Sequence, residues 1–299
     1  MIPVTYFPVT TQQIFASNLT RIVDKPYARF FNRDLYLRRD VLPALQQPMD
    51  RQNALSTSAT DLNSLLDPGY HAVENGYCEL EDGSAYVASR TIFPKCTGEM
   101  FSWWFWWHAV EPERYSLWYP YNHVSARSLS PELLTRSGLS HQERYIGTTH
   151  LVTEYIGPQY VDIAISFVDP SHYGFDVSRF TQAGIVSHAC GEVWFQRPSI
   201  RIGTMLHLVR KIDDGIELRS RYWLADSVKM KIPLLGYELS LDGLARTLGL
   251  KSRLAGSSVG YEQLLHDQIQ FTNLASFLPE LYRTFAVPSY GILRTDDTE

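Results

Sequence analysis

The stretch Tyr261-Glu262-Gln263-Leu264-Leu265-His266-Asp267-Gln268-Ile269-Gln270-Phe271-Thr272-Asn273-Leu274-Ala275-Ser276-Phe277-Leu278 decides the fold. Its apolar positions (Leu264, Leu265, Ile269, Phe271, Leu274, Phe277, Leu278) lie around most of a helix rather than along one stripe. A helix that is apolar on several sides is buried against something large. Pro279 is expected to end or kink it, since proline lacks an amide donor and its ring clashes with the preceding turn. Upstream, residues 84–90, 150–156, 161–167, 185–196, 200–212 and 216–224 are rich in β-branched and aromatic residues and bounded by Gly, Pro or Asp. Few helical stretches separate them, so antiparallel pairing fits. The expected fold class is α+β: a curved antiparallel sheet gripping one long C-terminal helix, with a cavity between them. A sandwich of two smaller sheets is the alternative. Short helices are expected within 41–45 and 61–66, and Asp67-Pro68-Gly69 is a turn. Residues 1–80 are read as a small N-terminal lobe and 81–299 as the cavity domain.

A net charge of -5 offers no basic stripe for nucleic acid. The N-terminus lacks the basic and apolar regions of a secretory signal, and no stretch approaches the roughly 20 apolar residues of a membrane span. Cys78, Cys96 and Cys190 are odd in number and far apart, which argues against a disulfide framework and a cysteine zinc site. Asn18-Leu19-Thr20 matches a glycosylation acceptor but lacks a secretory context. A reducing, cytoplasmic location is expected, with no nucleic-acid or membrane partner.

Four of the seven tryptophans fall within Trp103-Trp104-Phe105-Trp106-Trp107-His108, followed by Arg114-Tyr115-Ser116-Leu117-Trp118-Tyr119-Pro120-Tyr121-Asn122-His123. The run is expected either to wall a pocket for an aromatic ligand or to form a buried strand of the core. Asp214-Gly215 reads as a two-residue hairpin loop, which would set His207 directly opposite Tyr222. An imidazole beside a phenol can move or orient a proton on a phenolic substrate, or merely satisfy its own hydrogen bonds. His266, Gln270 and Asn273 share one helix face; a His with a ligand at i+4 can hold a metal, although ordinary polar neighbours share that spacing. Glu154 lies on the side of its strand shared with Val152 and Ile156, where a carboxylate is costly unless paired with a cation or set at a solvent-facing edge. His123 is a further candidate, and His108, His150 and His188 are equally possible ligands.

The stretches Glu74-Asn75-Gly76-Tyr77-Cys78 and Glu81-Asp82-Gly83-Ser84-Ala85-Tyr86-Val87-Ala88 precede the tryptophan run and Arg114 to His123. With Glu154, the His207 and Tyr222 strands and residues 266–281, they resemble the family of diacetylphloroglucinol hydrolase and phloretin hydrolase. The resemblance covers most of the chain past residue 65. It implies a helix-grip domain of the START type behind a small N-terminal lobe, and a homodimer. It further implies a zinc-dependent (or other divalent-metal) hydrolase acting on a carbon–carbon bond in a ketonic substance, the bond joining an acyl group to a phenolic, phloroglucinol-like ring. By motif, His123, Glu154 and His266 match three metal ligands, and Gln270 stands where the family has glutamate. Tyr115, His207 and Tyr222 match substrate-binding and proton-transfer residues, and Ala126 stands in place of an asparagine. A glutamine oxygen is a neutral, poorer donor. The implied route is retro-Claisen, in secondary metabolism. The two departures leave open a non-hydrolytic cyclase or pericyclase using the same cavity on a polyketide-like substrate, and a non-catalytic binder of hydrophobic ligands.

Overall fold

The computed structural model describes residues 1–232 and 237–286; the last part of the expected cavity domain, 287–299, lies outside the described residues, as do 233–236. The chain opens with β1 (Ile2–Pro3), α1 (Val9–Ile22), β2 (Tyr36–Leu37), α2 (Leu42–Gln46) and α3 (Ala59–Asn63). There follow β3 (Gly76–Glu79), β4 (Ala85–Pro94), α4 (Gly98–Trp107), β5 (His123–Ser128), α5 (Pro131–Leu134), β6 (Thr149–Ile156) and β7 (Gln159–Val168). The remaining elements are β8 (Ile185–His188), β9 (Cys190–Phe195), β10 (Ile200–Ile212), β11 (Gly215–Ile232), β12 (Tyr237–Ser240), α6 (Asp242–Thr247), α7 (Leu250–Ala255) and α8 (Ser257–Phe285).

Among the described residues, ten strands form one antiparallel sheet in the order β3-β4-β11-β10-β9-β7-β6-β5, with β12 beside β11 and β8 beside β10. One large sheet with one long helix is thus the architecture, rather than two stacked smaller sheets. Helix α8 crosses β3 and β4, and its Leu264, Phe271, Leu274, Phe277 and Leu278 join the main core. It continues past Pro279 to Phe285, so that proline does not end it. The burial of both flanking turns outweighs the single hydrogen bond a proline removes.

Two local expectations are corrected. The tryptophan run is helical, not a strand: Thr97 caps α4 by accepting from the Met100 amide, and Glu99 sits in the first turn, where its charge meets the helix dipole. Gly98 is required, since a Cβ there would lie 2.5 Å from the Val186 carbonyl oxygen. The hairpin turns at Asp213-Asp214, with Ile212 paired to Gly215 and His207 to Ser220. Gly215 does not form the corner; it has φ +129° and admits the backbone of β4, where a Cβ would sit 2.2 Å from the Phe93 carbonyl oxygen. The register is displaced by two, which preserves side-chain parity, so His207 and Tyr222 still face the same side of the sheet.

Candidate active site

A cavity of about 340 Å³ lies between the concave face of the sheet and α8. Its volume falls within the roughly 300–1,000 Å³ of small-molecule sites. Its walls are mostly apolar, with Val152, Ile163, Ile165, Phe167 and Met205 from the strands. Trp103 and Trp104 are fully buried in the core and, with Trp106 and Trp107, do not reach the cavity; of the run, only Phe105 and His108 do, joined by Tyr115 and Trp118. The tryptophans instead pack on one another, Trp103 stacking on Trp107 with centroids 4.8 Å apart. An all-round apolar helix has no face to spare for a ligand, so most of α4 serves the core.

On one wall, three elements converge. His123 opens β5 and pairs in register with Glu154 on β6, and His266 descends from α8. The two Nε2 atoms are 3.1 Å apart, and Glu154 Oε2 lies 3.3 Å from His123 Nε2 and 3.8 Å from His266 Nε2. Tetrahedral zinc with bonds of about 2.0–2.1 Å would space neighbouring donors about 3.3–3.4 Å apart. The donor chemistry fits too: His123 Nδ1–H donates to the Tyr115 carbonyl at 3.2 Å, which leaves Nε2 its lone pair. Burial drives the His123 imidazole well below its ordinary pKa, helped by neighbouring His266, and drives His266 to about 3, so both are neutral donors. Burial raises Glu154 to about 7, opposed by the Tyr115 hydroxyl, which donates to Oε2 at 2.5 Å. A buried carboxylate against two neutral imidazoles is a site that a cation would complete. Gln270, one helical turn after His266, lines the same cavity. Among the described residues, His123, Glu154 and His266 form a candidate metal centre.

The second wall carries His207 and Tyr222, both lining the cavity. Their rings meet edge-on with centroids 5.6 Å apart, as diagonal rather than directly opposed neighbours. His207 is pushed down to about 3 by burial and shares a 2.8 Å hydrogen bond between Nδ1 and the Ser220 hydroxyl. Tyr222 donates to Asp267. Burial, then the Asp267 charge, raises the Tyr222 hydroxyl far above its usual range. Asp267 itself is raised to about 6 by burial. It had not been singled out in the sequence; a carboxylate inside the apolar face of the C-terminal helix was the available signal.

The other expected residues divide. Asn273 faces the structure, not the site, donating to the Leu117 and Trp118 carbonyls at 3.0 Å each. Asn18 is buried and donates to the Pro120 and His123 carbonyls at 2.8 and 2.7 Å, a buttress behind β5. Ala126 is buried opposite Val152. His108 and His150 line the cavity without joining the three converging donors, His108 packing on Tyr115 with centroids 5.5 Å apart, and His188 does not line it. The three cysteines are free and buried. No helix of the described residues is long and apolar enough to cross a membrane.

An aromatic-lined cavity with two histidines and a carboxylate on one wall suits a small organic ligand and makes this the candidate active site. Residues 55–283 match the family model described as the DAPG hydrolase PhiG domain. The chain is 36% identical over 97% of its length to 2,4-diacetylphloroglucinol hydrolase of Pseudomonas protegens, covering 94% of that protein. It is 35% identical over 97% of its length to the enzyme of the same name from a Pseudomonas species, covering 98% of it. Phloretin hydrolase of Eubacterium ramulus is 29% identical over 69% of this chain and 70% of its own. The chain therefore belongs to the DAPG hydrolase family and is a hydrolase.

Proposed function

We propose that the protein is a divalent-metal-dependent hydrolase that cleaves the carbon–carbon bond between an acyl group and a phloroglucinol-like ring. The observation that carries this reading is the meeting of His123, Glu154 and His266 donors within 3.1–3.8 Å on the wall of an aromatic cavity. The substrate class is taken from the relatives' names. The helix-grip arrangement of START type, a homodimer and a cytoplasmic location belong to the same proposal.

The balance is simple. The ring carbon bearing the acyl group gains a proton, the acyl carbon gains the oxygen of water, and the bond's electron pair returns to the ring, releasing a carboxylic acid and the phenol. Ring protonation must come first, because an aryl carbanion is a very poor leaving group. His207, which lines the cavity, would relay a proton from a ring hydroxyl to the acyl-bearing ring carbon, ketonising the ring. Tyr222, held by Asp267, and Tyr115, held by Glu154, orient ring hydroxyls. The apolar lining limits water. Zinc held by His123, Glu154, His266 and Gln270 would supply Lewis acidity toward the acyl carbonyl.

Incubation with 2,4-diacetylphloroglucinol should release acetic acid, and Glu154→Ala should abolish the release. Full activity of that variant, or acid release unchanged after exhaustive chelation with no residual metal by mass spectrometry, would remove the basis of the proposal. Conversion in chelator without acid release would point to the cyclase reading instead, which the Gln270 and Ala126 departures favour.

A further inference from the structure

Beyond Tyr115 the cavity carries a second polar pair that the proposed chemistry does not use, beginning with His108, which packs on Tyr115 with centroids 5.5 Å apart. His150 lies four residues before Glu154 on the same face of β6, so their Cα atoms are about 13 Å apart along the strand. It is 1% exposed, it lines the cavity, and among the described residues neither ring nitrogen has a hydrogen-bond partner. His108 faces it with centroids 6.2 Å apart. The Trp118 indole N–H, on the same lining, is likewise unpartnered. Around them the walls are apolar: Phe105, Val152, Ile165 and Phe167. Buried polar groups in native proteins find partners, and each exception requires a reason. Among the described residues nothing partners His150, which leaves both its nitrogens free for a group bound in the cavity.

We infer that His108 and His150 form a subsite for a phenolic hydroxyl on the side of the substrate ring remote from the scissile acyl group. This deepens the hydrolase reading and rests on it for the ring's orientation. The hydrogen-bond inventory selects the occupant. His108 Nδ1 lies 2.7 Å from the Trp104 carbonyl and must donate to it, so the remaining nitrogen, Nε2, is an acceptor. An acceptor requires a donor, which a hydroxyl has and a second acyl carbonyl lacks. A neutral His150 offers one donor and one acceptor, so the same hydroxyl can also accept from it. Burial keeps both rings neutral. The subsite therefore reads hydroxylation of the ring, while the opposite wall handles the acyl group.

The test uses the full chain and two ligands differing by one group. 2,4,6-Trihydroxyacetophenone carries a hydroxyl para to the acyl group, and 2,6-dihydroxyacetophenone lacks only that one. Dissociation constants are read from quenching of tryptophan fluorescence in wild type, His150→Phe and His150→Gln. The wild type should prefer the trihydroxy ligand about tenfold. His150→Phe should erase the preference, and His150→Gln, which keeps a donor and an acceptor, should restore part of it. Equal wild-type affinities, or a preference surviving in both variants, would overturn the subsite. So would a His150→Phe loss seen with 2,4-diacetylphloroglucinol alone, which would make the occupant a carbonyl. Because the readout is binding, the two ideas fail separately. A preserved preference without acid release sinks the hydrolase reading and leaves the subsite, whereas acid release without preference does the reverse.

Discussion

Glu74 allows a stability prediction to be worked through in full. It is buried on the face of the sheet opposite the cavity, where Oε1 lies 2.6 Å from Arg219 Nη2 and Oε2 2.6 Å from Arg221 Nη2. Burial alone would raise its pKa, but the two guanidinium groups outweigh that and lower it from 4.5 to about 2. Between those values the unfolded chain binds more protons than the folded one, so stability rises with pH across the window and is complete above 4.5. The displacement is roughly 2.5 in pKa, which at about 1.4 kcal/mol for each is roughly 3 kcal/mol. Glu74→Gln should therefore lower the unfolding free energy by about 3 kcal/mol at pH 7, a figure that already contains the loss of the counter-charge to Arg219 and Arg221. Urea unfolding of both proteins at pH 7, 5, 4 and 3 would measure the difference. The gap should hold at pH 7 and 5 and narrow steadily below 4.5, as Glu74 of the unfolded chain takes up its proton while the folded one stays ionised until about pH 2. A gap under 1 kcal/mol at neutral pH, or one that does not narrow in acid, would refute the reasoning.

Other outcomes follow from single contacts. Tyr115→Phe removes the 2.5 Å hydrogen bond to Glu154; losing an outer support of this proposed ligand should weaken zinc affinity by about 10–100-fold, measured by competition with a chromogenic chelator. Gln270→Glu adds a negative donor beside His123 and His266 and should strengthen zinc retention by at least roughly tenfold in the same assay; unchanged affinity would mean that residue 270 is no ligand. Asn18→Ala leaves the Pro120 and His123 carbonyls without their donor and should cost about 1–3 kcal/mol in urea unfolding.

The C-terminal helix and the long strands were legible because burial on several sides and β-branched runs leave periodic traces. β5 was not, since His123-Val124-Ser125-Ala126-Arg127-Ser128 has only two apolar residues and is held by pairing with β6 and by Asn18. Helix α1 escaped notice because Thr11, Phe15, Asn18 and Ile22 make a thin, half-polar stripe. Four tryptophans pointed to a ligand wall, yet side-chain size does not say whether a ring faces a cavity or another ring. The hairpin register turned on whether Gly215 supplied the corner or made room for a neighbouring strand, a matter of tertiary contact. The ligand candidates His123, Glu154 and His266 entered through costly polar positions and through resemblance, and their mutual distances needed the fold. Asp267, adjacent to one of them, carried no motif of its own.

Asn18 and Arg21 both reach from the first helix to the backbone behind His123, the arginine at 2.8 Å from the Val124 carbonyl oxygen. Neither residue falls within 55–283, the span matched by the family model. A chain trimmed to that span would keep every candidate donor and lose the brace that fixes where one of them stands. Transplanting this chemistry onto another scaffold, or shortening the protein for engineering, would therefore have to carry along a remote helix that contributes no chemistry itself.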